Sequence, residues 1–313
     1  MKAVRAAEGG VHVVDLAEPP GTGELLDVRS ASICSSDLAY IALGSRRILG
    51  HELAGVLADG TAVVVEALYG CHACDQCRSG RYNLCPTHPQ RALGVTADGG
   101  MAQRFRAPTT QLVPLPAGLD VRDASLVEPA AVSWHALNLA ATGPGQRVAV
   151  VGAGALGLLA AVGALRQGAE DVSIAARHPH QRQVAERLGI GLSVHGLYDV
   201  VVEAAGSPAG LAQAIELVAP GGTVVALGFQ RGGKVELDWH TMFNREARII
   251  PSLGYCRHEG GREMDEAAAM LAAQPEIARA LITHRFPIED AAEAFRVAAD
   301  KSTGAIRVVV EPV

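Results

Sequence analysis

The stretch QRVAVVGAGALGLLAAVGALRQG, residues 146–168, constrains the fold more than any other. A β-branched run leads into three glycines, and an Ala/Leu run follows. Residues 148–165 carry no charge, and a run of that length could span a membrane. The β-branched residues before the glycines and the helix formers after them instead predict a buried strand, a tight turn and a buried helix, which are also apolar throughout. The alternation then continues through DVSIAA, HQRQVAERLG, DVVVEAAG, LAQAIELV and GTVVALG. Strands alternating with helices of this length predict a parallel sheet covered on both faces.

The turn reads Gly152-Ala-Gly154-Ala155-Leu156-Gly157, a GxGxxG between strand and helix. The first glycine permits the turn, the second lets a pyrophosphate approach, and the third lets helix and strand pack closely. The helix N-terminus faces the negative charge. This is the pattern of a Rossmann doubly wound sheet. An NAD site calls for an acid at the end of the next strand. Here Ala176 holds that position and Arg177 follows, with His178 and Arg182 nearby. A guanidinium suits a 2′-phosphate, so NADP(H) is favoured over NAD(H); a solvated surface arginine is the competing reading. Ala205 and Gly206, after the third strand of this series, complete the candidate cofactor-binding set.

The first hundred residues are β-rich, with LLDVRSASI and AVVVEAL as strand candidates. Four of six cysteines fall in CHACDQCRSGRYNLC, as Cys71, Cys74, Cys77 and Cys85. The N-terminal MKAVRAAEGG lacks the apolar core of a signal peptide, so a cytoplasmic protein is expected and clustered cysteines favour metal over disulfides. Four thiolates so close in sequence can close a tetrahedral zinc shell with no open position, a structural site. An iron–sulfur cluster is the rival, but the ferredoxin-type spacing has a shorter last gap. Net charge is −6 with scattered basic residues, which argues against nucleic acid as a partner.

Taken together, CSSD, LGHELAG, the cysteine lobe, DGGMAQRF, VEPAAVSWHAL, VGAGALG and LITHRFPIEDAAEAF, in that order, resemble the zinc-containing medium-chain alcohol dehydrogenases, especially the polyol and threonine dehydrogenase-like branch. The resemblance covers nearly the whole chain. It implies a GroES-like β-rich catalytic domain from residues 1–125 and 281–313, and a Rossmann domain over 126–280. It further implies a catalytic zinc held by Cys34, His51 and a carboxylate, either Glu52 or Glu128, with water in the fourth place. Asp37 would orient His51, and Ser36 would take the alcohol's proton. The implied enzyme contains two zinc ions per chain and transfers a hydride between a secondary alcohol or polyol and NADP(H), as a homodimer or homotetramer. Taken singly, Cys34 reads as a core residue of an apolar strand and His51-Glu52 as a satisfied polar pair.

Two stretches are shorter than the family's usual pattern. Only LAYIALGSRRIL separates Asp37 from Gly50, which leaves a differently walled pocket. Arg46 and Arg47 lie there. Solvated arginines are one reading; a positive rim suited to a phosphorylated or acidic substrate is the other. The second is GIGLSVHGLYDVV, residues 189–201, where the sheet is expected to lose a helix and expose apolar surface to a subunit neighbour. Two other functions compete: an NADPH-dependent alkene or quinone reductase, and a non-catalytic NADPH-binding protein. The GHE and the cysteine lobe count against the reductase, and the trimmed pocket loop is the only feature that favours the non-catalytic protein.

Overall fold

A computed structural model describes residues 1–87, 92–230 and 233–312. The chain divides into two compact units, Met1–Glu128 with Cys256–Val313, and Pro129–Tyr255. The second unit was expected to run to residue 280. The chain rejoins the first unit earlier because Arg257 N–H donates to the Gly80 carbonyl at 2.9 Å, and Arg262 reaches the buried Glu66.

The first unit is built on a seven-stranded sheet. Its path runs Ile282–Pro287, Arg307–Glu311, Glu24–Ser32, Glu52–Leu57, Ala62–Val65 and Leu112–Pro114, and Arg104–Ala107 pairs the outer half of Glu24–Ser32. Leu26, Val28, Leu53, Val63 and Val310 point into one core. The C-terminal strand supplies a central position: Val309 pairs Ser32, and Ser32 pairs Glu52. Cross-strand partners share a face, so Arg307, Ser32 and Glu52 lie on the same side of the sheet.

The second unit carries a five-stranded, wholly parallel sheet in the order Arg248–Pro251, Val218–Ala226, Tyr198–Glu203, Arg147–Val151 and Asp171–Ala175. Residues 148–165 are therefore a buried strand and the helix Ala155–Arg166. Among the described residues no helix is long and apolar enough to cross a membrane. A dinucleotide-binding sheet of the full six-strand order has another strand beyond Asp171–Ala175. Here it is reduced to one parallel bridge between Gly191 and Ser173, and residues 192–197 form no helix. The Arg147 guanidinium stacks 4.5 Å over the buried Tyr198 ring and donates to Asp171 and to the Leu197 carbonyl. A folded-over arginine thus covers the Tyr198 ring at this end of the sheet.

Candidate active site

Sheet register assembles the site. The strand Glu24–Ser32 runs antiparallel to Glu52–Leu57 with Ser32 opposite Glu52. Two residues beyond one strand end lies Cys34, and one residue before the other lies His51. Cys34 is not in a strand; it caps the helix Ser35–Ala42. Asp37, at the third helical position, accepts from Cys34 N–H at 2.9 Å, one half of a capping box. Gly50 has φ +97°, and a Cβ there would lie 2.6 Å from Met101 N, so only glycine delivers His51 to this place.

The ligand atoms of Cys34, His51 and Glu52 all lie within 4.8 Å of one another. His51 Nδ1 faces Asp37 Oδ1 at 3.4 Å without closing a hydrogen bond, and its Nε2 lies 3.4 Å from Ser36 Oγ. Burial alone would lower the imidazole pKa. The carboxylate of Asp37 and the thiol of Cys34 outweigh it and hold the pKa well above its ordinary value.

The two glutamates differ. Glu52 is 1% exposed and fully engaged: both oxygens accept from Arg307 Nη1, at 2.8 and 2.9 Å, and Ser32 donates to Oε2. Glu128 is buried, with no hydrogen bond or ion pair among the described residues. Burial pushes it up to about 8 against the pull of His51, and Glu52 adds to the rise. Arg307 and Ser32 are functional residues that sequence reasoning missed. Arg307 lies 255 positions from Glu52, and nothing local marks it.

The four lobe cysteines are free thiols whose sulfurs also lie within 4.8 Å of one another. Cys71 and Cys77 sulfurs are 4.0 Å apart, as are those of Cys74 and Cys85. A tetrahedron of thiolates about 2.3 Å from zinc has edges of about 3.8 Å, so the lobe fits one ion better than a cluster. Backbone N–H groups of Cys71 and Cys74 point at sulfurs. Burial opposes ionisation of Cys85, yet donors from Thr87 and the backbone bring it down to about 6. Cys256 is a buried thiol pushed up to about 12 by burial.

In the second unit a Cβ on Gly157 would lie 1.8 Å from the Gly152 carbonyl oxygen, which is the close helix–strand contact the motif requires. A Cβ on Gly154 would meet nothing within 4 Å, leaving space for a pyrophosphate over Ala155 and Leu156. Arg177 is exposed with no partner among the described residues; Arg182 donates to the Ala176 carbonyl, and His178 caps the helix Pro179–Arg187. The amides of Ala205 and Gly206, candidates for the cofactor, are both held by Glu203 Oε1 at 2.9 Å. Glu203 is itself buried and bonded to Gln230, an anchor with no sequence signature.

Residues 22–117 match the model of the alcohol dehydrogenase GroES-like domain, and residues 121–311 that of the glucose dehydrogenase C-terminus. The chain belongs to the zinc-containing medium-chain alcohol dehydrogenases, in the polyol and threonine dehydrogenase-like branch. The L-galactonate-5-dehydrogenase of Escherichia coli strain K12 is 30% identical over 310 residues, covering 88% of each chain. Galactitol-1-phosphate dehydrogenase from Escherichia coli superposes with a TM-score of 0.89 at 25% identity over the full length of both chains. An NADP-bound dehydrogenase structure from Sinorhizobium meliloti 1021 gives 0.85 at 29% identity over 99% of each. This family member is an alcohol dehydrogenase with a GroES-like unit and a Rossmann unit.

Proposed function

We propose that the enzyme is a zinc-dependent dehydrogenase that exchanges a hydride between NADP(H) and a secondary alcohol or polyol, or the matching ketone or aldehyde. The observation that carries this reading is the convergence of Cys34, His51 and Glu52 within 4.8 Å, the donor set of a catalytic zinc with an open place. Glu52 is the third ligand in this reading because it is the carboxylate in range; Glu128 stays as a buried carboxyl beside the shell. Bound there, zinc supplies Lewis acidity toward an alcohol oxygen, and the nicotinamide supplies the hydride acceptor. Asp37 holds His51 in the tautomer that leaves Nε2 free. Ser36, beside Nε2, takes the alcohol's proton and hands it outward. Cys71, Cys74, Cys77 and Cys85 hold a second, structural zinc. Arg177 favours NADP(H) by its free guanidinium.

Self-association as a homodimer or homotetramer belongs to this reading. It is supported by Trp239 and Phe243, each 70% exposed, near the open edge strand Arg248–Pro251. A sedimentation mass equal to one chain would refute it. We place the enzyme in the cytoplasm, since cysteines clustered to hold a metal suit a reducing compartment; periplasmic recovery in cell fractionation would contradict that.

The activity test is formation of reduced cofactor by the zinc-loaded protein across secondary alcohols, hexitols and their phosphates and acids, with NADP and NAD. Turnover with NADP that chelation abolishes and zinc restores is expected. Turnover unaffected by chelation would overturn the reading.

A further inference from the structure

The short segment between Asp37 and Gly50 does not simply open the site; it builds a cleft. Tyr40, Leu43, Ser45, Arg46, Arg47 and Asp98 line a space of about 520 Å³ at the far end of the helix that Cys34 caps. Arg46 pairs with Glu8 at 3.6 Å, but both side chains are exposed, so the pair is weak. The Arg47 guanidinium has no hydrogen bond or ion pair among the described residues. Asp98 spends one oxygen on Ile48 N–H, and with two arginines against it the lining nets one positive charge. Tyr40, which lines the cleft, lies on the same helix, Ser35–Ala42, that Cys34 caps. It stands six residues after Cys34, roughly 9 Å along a helix rising 1.5 Å per residue. Arg46 and Arg47 follow in the segment beyond the helix end at Ala42.

We propose that this cleft binds the anionic end of the substrate through Arg46 and Arg47, so that the substrate is a polyol carrying a terminal phosphate or carboxylate. The proposal rests on the dehydrogenase reading for the word substrate, but not for the binding it asserts. A guanidinium fork matches the oxygens of either group, and an arginine without an acid partner loses no ion pair when the anion arrives.

The test is calorimetric binding to the zinc-loaded protein, parent against R46Q/R47Q, with inorganic phosphate, glucitol, glucitol 6-phosphate and gluconate as probes. Inorganic phosphate is expected to bind the parent, and at least one charged hexitol to bind about tenfold more tightly than glucitol. In the double variant phosphate binding is lost and the preference falls to near unity. Tighter binding of the phosphate ester assigns a phosphorylated substrate, and tighter binding of gluconate a carboxylate. Failure of phosphate and both charged hexitols to bind, or a preference unchanged in the variant, overturns the proposal. Arginine-dependent binding without hydride transfer to NADP from any hexitol would instead overturn the dehydrogenase reading alone.

Discussion

Replacing Arg307 with Met tests how the site is held before a metal enters it. Arg307 is 5% exposed and Glu52 1%, with their atoms 2.8 and 2.9 Å apart. With charge centres about 4 Å apart at an effective dielectric of about 20, the attraction is about 4 kcal/mol. The variant also strands Glu52 as a buried charge with Ser32 as its remaining hydrogen-bond donor among the described residues, and removes a donor from the Ile33 carbonyl. Breaking a buried pair from one side costs about 3–5 kcal/mol, so R307M is expected to lose that much in denaturant unfolding. Adding E52Q removes the stranded charge, and R307M/E52Q is expected to recover at least half of the loss. A loss under about 1 kcal/mol in R307M, or a double variant no better than the single, would refute the claim that Arg307 neutralises Glu52.

Arg177→Ala is expected to weaken NADPH binding about tenfold while leaving NADH binding nearly unchanged; tighter NADH than NADPH binding by the parent would show the cofactor assignment to be wrong. Burial raises Glu66 above its ordinary carboxyl value, against the Tyr82 hydroxyl and Arg262 that pull it down. A raised folded-state pKa means a contribution to stability that is present below the unfolded value and lost as pH climbs through the folded one. E66Q, which keeps an acceptor for Tyr82, is therefore expected to gain stability relative to the parent as pH climbs above the ordinary carboxyl range. Parallel pH profiles of unfolding would contradict this.

What the sequence shows plainly is what lies close together in it. The cysteine lobe, the GxGxxG turn and the strand Arg147–Val151 each carry their own signal in spacing or periodicity, and each stands where it was read. Cys34 and His51 are seventeen positions apart and meaningless singly; sheet register joins them, and only the ordered set of motifs pointed there. Arg307 was out of reach because its partner is across three strands and most of the chain. Glu203 was hidden for a different reason: an acid ending an apolar strand looks like surface until the loop wraps its carboxylate. The lost helix after Gly191 was legible as a short count of residues, but the Arg147–Tyr198 cover was not, since a cation over a ring depends on a fold-back no periodicity encodes.

The account stands or falls on metal content. Zinc counted per chain by atomic emission, in the parent and in Cys34→Ser, is expected to fall from two ions to one, with hydride transfer lost and the fold retained through the cysteine lobe. A parent with a single zinc that Cys34→Ser leaves in place would contradict the catalytic site at its root.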